Sequence, residues 1–127
     1  MKRLILTFAL LGMTVLFMTG CGESASPKTV VEQFCKSNFA ESKKYIVPSE
    51  IAAYEKACQT TYKEWMMDMD PNFPKSYFSG TIQEPKISGD TAEVEMDNGG
   101  MSFVFNLKKV NGDWYISRVP VISSAWK

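Results

Sequence analysis

The chain has 127 residues, with 14 basic and 14 acidic side chains, 45% hydrophobic residues and no histidine. That length suits one small domain rather than two. The densest basic groups are the isolated pairs Lys43-Lys44 and Lys108-Lys109, which excludes the clustered positive surface that nucleic acid needs, and the missing histidine removes the usual general base and the commonest metal ligand.

Lys2-Arg3 opens the chain, an apolar run covers residues 4–17, and Met18-Thr19-Gly20-Cys21 follows. A basic start, an apolar stretch shorter than the roughly 20 residues that span a bilayer, and small residues before a cleavage point form the pattern of a secretory signal. The alternative is a retained transmembrane anchor, against which the length of the run and the interruption at Gly12 both argue. Residues 18–21 resemble the lipobox of bacterial lipoproteins. The resemblance implies removal of residues 1–20 and attachment of lipid to the sulfur and amine of Cys21. Several acyl chains, each worth roughly 0.8 kcal/mol per buried methylene, would hold the domain at a membrane almost permanently. It would face the periplasm or the outside, and Gly22 after the cysteine favours the outer membrane where there are two. Loss of Lys2 and Arg3 leaves 12 basic against 14 acidic residues. Residues 21–26 then read as a flexible tether, and residues 27–127 as the domain.

Ser26-Pro27 places a capping hydroxyl before a proline at the first helical position. Val30, Val31, Phe34 and Cys35 follow on one side of a helix expected to reach about Phe39. A short second piece covers residues 41–47 and ends at Pro48. From Ser49, residues Ile51, Tyr54, Cys58, Thr61, Tyr62, Trp65 and Met69 recur at helical spacing and define a long amphipathic helix. Cys35 and Cys58 form an even pair in an oxidising compartment, so a disulfide stapling the two helices is expected, worth roughly 3 kcal/mol in the chain-entropy view. The alternative is two buried free thiols acting as small hydrophobes.

After Asp70-Pro71-Asn72-Phe73-Pro74 the period changes from helical to alternating. A first strand spans residues 77–88, broken by Pro85. Gly89-Asp90 turns the chain into residues 91–97, where Ala92, Val94 and Met96 share one face. Asn98-Gly99-Gly100 leads to Met101, Phe103, Phe105 and Leu107 on one face of the next strand, and Asn111-Gly112 is a two-residue hairpin signal. The last strand runs from Asp113 to about Ser123, with Trp114 and Ile116 on one face. Helices followed by a four-stranded antiparallel meander make an α+β fold in which the helices pack on one face of the sheet.

The opening Ser26-Pro27-Lys28-Thr29-Val30-Val31-Glu32-Gln33-Phe34 and the closing Phe105-Asn106-Leu107-Lys108-Lys109-Val110-Asn111-Gly112-Asp113-Trp114-Tyr115-Ile116 resemble the two ends of small bacterial lipoproteins with a nuclear-transport-factor-2-like, or cystatin-like, domain of unknown function. The resemblance implies a curved sheet wrapped around a long helix, a cone whose open end can hold a ligand. It also allows a homodimer, since many members of the wider superfamily bind or dimerise without catalysing a reaction.

No convincing nucleophile stands beside a base, and no glycine-rich phosphate cradle follows a strand. Asp68-Met69-Asp70-Pro71-Asn72 begins like a calcium loop, but Phe73 stands where the sharp turn needs glycine, so a helix end and a turn are expected, with no metal and no cofactor. The rings are the more informative supply. Phe34, Tyr54, Tyr62, Trp65, Phe103, Phe105 and Trp114 should converge between the long helix and the concave sheet face, either as core or as the wall of a cavity for a small apolar ligand or an envelope protein. Strict alternation would add Arg118 to that face, where its guanidinium could hold a carboxylate or phosphate; a bulge before Pro120 would instead turn it to solvent. The expected function is a membrane-tethered, noncatalytic binding domain of the cell envelope. Its rivals are an inhibitor or immunity-type protein against a secreted enzyme or toxin, and a small-molecule hydrolase or isomerase using Tyr and Asp.

Overall fold

The computed structural model of the protein describes residues 25–126. The signal segment, Cys21 with its expected lipid, most of the tether and Lys127 lie outside the described residues. Helix α1 (Pro27–Cys35) starts where Ser26 Oγ accepts the Thr29 N–H at 3.2 Å and Pro27 fills the first turn, an N-cap worth about 1 kcal/mol. It ends at Cys35 rather than near Phe39, because Asn38 Oδ1 accepts the Glu41 N–H at 2.8 Å and starts a separate helix α2 (Phe39–Ser42). Two short 3-10 turns, Lys43–Tyr45 and Pro48–Glu50, lead into α3 (Ile51–Glu64).

Helix α3 stops short of the Met69 to which its apolar period extends. Met66 adopts φ 57, its N–H donates to Lys63 O at 2.9 Å, and the Met67 N–H reaches Tyr62 O at 3.0 Å. These two bonds are the paired contacts of a Schellman motif, with Met66 in the left-handed position that usually belongs to glycine. Local hydrogen bonding therefore ends the helix before its hydrophobic stripe does.

The sheet is antiparallel and open. It consists of β1 (Thr81–Ile82), β2 (Lys86–Ser88), β3 (Thr91–Asn98), β4 (Met101–Val110) and β5 (Asp113–Arg118). Strand β4 lies between β3 and β5, and β1 and β2 share the other edge of β3. The sheet has five strands where four were expected: the segment around Pro85, which lacks a ladder N–H, divides into β1 and β2, and residues 77–80 form turn and irregular chain instead of strand. The alternating residues pair across the sheet as Ala92↔Leu107, Val94↔Phe105 and Met96↔Phe103, with Leu107↔Ile116 beyond. All of these are buried, since one face of the pleat collects every second residue.

The helices cover that buried face. Ile46 forms an isolated parallel bridge with Ile116, and the Val47 N–H donates to Ile116 O at 3.1 Å, so the stretch between α2 and α3 lies along the β5 edge. Past Arg118 the chain leaves the sheet, buries Val119, Ile122 and Trp126, and lays a 3-10 turn (Ser123–Ala125) against α3. The architecture is α+β, with helices preceding an antiparallel sheet. Among the described residues, no helix is long and apolar enough to cross a membrane.

Candidate functional site

Tyr54 stands at the centre of the interior and has no solvent exposure. Its ring meets Phe34 edge-on at 6.1 Å and Trp126 at 5.8 Å. Its hydroxyl shares a 2.7 Å hydrogen bond with Ser42 Oγ, which in turn donates to Phe39 O at 2.7 Å. Phe105, also fully buried, packs against Phe34 at 6.0 Å and Phe78 at 5.1 Å, and Phe103 meets Phe78 at 5.3 Å. These T-shaped and tilted arrangements are the favourable geometries for rings. The space between the helices and the buried sheet face is therefore occupied by side chains, not held open as a cavity.

Trp126 completes the filling. Its indole N–H donates to Glu50 Oε1 at 2.9 Å, and its ring, 3% exposed, packs against Tyr54. Sequence periodicity could not find it, because Trp126 follows Pro120 in a segment with neither helical nor alternating spacing. Phe73 is likewise buried from a turn outside any periodic segment, and Phe78, expected within the first strand, is buried from irregular chain before β1.

The other expected site residues do not meet in one place. Tyr62 is buried and lies 6.0 Å from Phe73 and 5.8 Å from Trp65. Trp65 is 46% exposed and stacks on Tyr77 at 6.4 Å. Trp114 sits half-buried at the core margin, with Lys109 Nζ 5.5 Å above its ring. The register shifts at Asn106/Leu107, where Leu107 pairs with Ile116 and Asn106 with Arg118, so Ser117 is an extra residue that breaks strict alternation. Arg118 consequently pairs with the exposed Asn106 instead of continuing the face of Ile116. It lies half-buried with its guanidinium 5.2 Å from the Trp126 ring and its Nη1 donating to Ser117 O at 3.0 Å.

Cys35 and Cys58 are separate free thiols in this structure, in contrast to the expected bridge. Both are packed as small apolar groups in the core. Burial pushes each thiol up to about 12 and holds the Tyr54 hydroxyl far above the ordinary phenol range. Tyr62 is raised by burial and then by the nearby Asp70 charge. Asp70 is shifted downward, first by the Ser76 hydroxyl at 2.6 Å and then by the Asn72 N–H at 2.8 Å. With both oxygens engaged inside its own turn, Asp70 is a loop-forming carboxylate.

The surface carries the remaining features. The Schellman turn projects Trp65, Met66 and Met67, at 46%, 93% and 58% exposure. Met101, also exposed, lies on the strand face it shares with Phe103, whose ring meets Tyr77 at 6.0 Å. An open groove of about 490 Å³ runs between α1, the segment before β1 and the Met96 end of β3. A second of similar volume crosses β2, β3 and β4 near the β5 bulge. No family model matches the chain, and neither does any curated protein or solved structure.

Proposed function

We propose that this protein is a lipid-anchored, noncatalytic interaction domain of the bacterial cell envelope, with a nuclear-transport-factor-2-like fold whose cone is filled by its own rings. Its partner is a protein, and the contact face is the end built from Trp65, Met66 and Met67. The observation that carries this reading is the left-handed Met66 at the end of α3. A non-glycine residue there costs on the order of 1–2 kcal/mol, yet the side chain so displayed is an apolar thioether almost wholly in water. Trp and Met are enriched in protein interfaces, and flexible thioethers suit adaptable contact. Glu64 and Asp68 flank the turn, which disfavours an anionic lipid surface as the occupant.

The anchoring half of the proposal rests on Lys2-Arg3, the apolar run and Met18-Thr19-Gly20-Cys21. The noncatalytic half is supported by the lack of histidine and by the chemistry of the groups a Tyr/Asp enzyme would use. Tyr54 is sealed and Asp70 is tied to Asn72 and Ser76, so neither is poised for proton transfer near neutral pH. Inhibition of a secreted enzyme or toxin is one form that protein binding at this face can take.

A photo-crosslinking residue at position 66 of the full chain, in its native envelope, should capture a protein. Affinity for that purified protein should fall at least tenfold in a Trp65→Ser, Met66→Ser, Met67→Ser variant whose unfolding midpoint is unchanged. Crosslinks to lipid alone, or undiminished binding by the variant, would place the interaction face elsewhere. Turnover that is lost on changing a single Tyr or Asp would overturn the noncatalytic reading.

A further inference from the structure

The segment after β5 is held to the rest of the fold by side chains. Its backbone hydrogen bonds close on the segment itself, from the Ala125 N–H to Ile122 O at 3.0 Å and from the Trp126 N–H to Ser123 O at 3.1 Å. Ile122 and Trp126 are both buried in the core. Trp126 fills a slot bounded on three sides: Glu50 Oε1 accepts its indole N–H at 2.9 Å, the Tyr54 ring lies 5.8 Å away, and the Arg118 guanidinium stands 5.2 Å from its ring centroid. Residues 122–126 therefore have the build of a separate plug, internally bonded and seated by two large side chains.

The link to this plug is strained. Val121 adopts φ 79, in the left-handed region where a β-branched side chain crowds its own backbone. Met66 is also left-handed, but there the conformation brings the two hydrogen bonds of a helix cap. Val121 makes no backbone hydrogen bond among the described residues. Its neighbours cannot share the strain: Pro120 fixes its own φ and holds Val119 out of the helical region, and Val119 is wholly buried. The chain thus returns to its own slot by a sharp bend at one unfavourable residue.

We infer that two copies of this chain dimerise by exchanging residues 122–126, with Val121 as the hinge. With Val121 relaxed to an extended φ, the plug leaves its own domain and enters the slot of a second copy, where Trp126 meets an identical carboxylate, phenol ring and guanidinium. Every side-chain contact of the closed monomer is regained, while the strain at Val121 is released in both chains. A short strained link is the setting in which exchange of an identical element competes with closure on the same chain. Loss of translational freedom opposes association, so the dimer depends on protein concentration. This contact does not involve the protein-binding face at Trp65, Met66 and Met67.

The test uses the full chain in detergent micelles, prepared at natural isotope abundance and again with heavy nitrogen, each with p-benzoylphenylalanine in place of Ser124. That position is exposed and lies in the turn packed against α3. The two preparations are mixed and incubated below the unfolding midpoint, monomer and dimer are separated by size, and crosslinks formed on illumination are read by mass. A dimer should form, and its crosslinks from position 124 to α3 peptides should join light chains to heavy ones; in the monomer they should stay within one chain. Val121→Gly relieves the hinge without removing a plug contact, and should raise the dimer dissociation constant by about fivefold or more. Val121→Asn, which tolerates the left-handed region better than valine, should act in the same direction. Trp65→Ser with Met66→Ser and Met67→Ser should leave the dimer intact, so loss of partner binding and loss of exchange are read separately. Absence of a dimer at the highest soluble concentration, a dimer whose position-124 crosslinks stay within one chain, or undiminished dimerisation of the folded Val121→Gly variant would each overturn the inference.

Discussion

The indole of Trp126 donates to Glu50 across 76 residues of chain, joining the last buried side chain to the turn that begins α3. Trp126 thereby closes the interior over Tyr54, and its own guanidinium neighbour, Arg118, stacks on its outer side. Trp126→Ala should cost about 3–5 kcal/mol, the range for removing a buried large ring. Glu50→Ala should cost about 1–2 kcal/mol, because it leaves the buried indole N–H without an acceptor. Urea unfolding monitored by circular dichroism measures both, and a Trp126→Ala loss under 1 kcal/mol would mean that the tail does not seal the core.

Phe105→Ala and Trp65→Ala should behave oppositely. The first removes a fully buried ring between Phe34 and Phe78 and should cost about 3–5 kcal/mol. The second removes a half-exposed ring and should cost less than about 1.5 kcal/mol, while weakening partner capture. Equal losses of stability would remove the distinction between core and contact face.

Met66→Gly should raise stability by about 0.5–1 kcal/mol, since glycine adopts the left-handed C-cap position without steric cost, and should at the same time reduce partner affinity. Thermal melts and binding isotherms on the same preparation report the two effects. A variant that is both less stable and fully active would show that Met66 is there for folding alone.

Alkaline pH should destabilise the protein. Cys35 and Cys58 ionise only near 12 when folded, against the ordinary value of 9.0, so above pH 9 the unfolded chain releases protons that the native state retains. Stability is thus constant near neutrality with respect to these groups and falls as pH rises through that window. Cys35→Ala with Cys58→Ala should flatten the slope of the unfolding free energy between pH 9 and 11, leaving the contribution of Tyr54, which acts in the same direction. In the native state both thiols should resist alkylation at pH 7.5; in urea without reductant both should react. Protection in urea that disappears on reduction would instead reveal a bridge.

Cys21→Ser should abolish lipid attachment, so the protein leaves the membrane fraction or accumulates as a longer precursor. Detergent phase partitioning and intact mass would show this. A variant that partitions and matures like the parent rules out Cys21 as the anchor.

Features fixed by local chemistry could be read from the sequence. Ser26-Pro27 caps α1 as expected, Asn111-Gly112 turns β4 into β5 with positive φ at both residues, and the alternation of Ala92, Val94 and Met96 against Phe103, Phe105 and Leu107 marks the buried face. Tyr54, Tyr62, Phe103 and Phe105 all belong to the buried core, but composition alone could not say whether they wall a cavity or fill it. That outcome depends on Phe78, which enters the interior from irregular chain where a strand was expected, and on Trp126, whose segment has no period to reveal it. The end of α3 was hidden for a different reason. Its hydrophobic stripe continues through Trp65 and Met69, and only the hydrogen bonds to Lys63 O and Tyr62 O terminate the helix. Arg118 was displaced by one extra residue, Ser117, and the expectation of a bulge before Pro120 anticipated the irregularity without anticipating the stacking on Trp126.

The exposure of Met66 and Met67 also gives the proposed contact face an oxidant sensitivity. Their side chains stand in solvent, as does that of Met101, while Met96 is enclosed, so a peroxide meets these surface methionines first. Conversion to sulfoxide makes each side chain polar and chiral without touching the core. The domain would stay folded and anchored yet lose its grip on an apolar partner, and a methionine sulfoxide reductase would restore it.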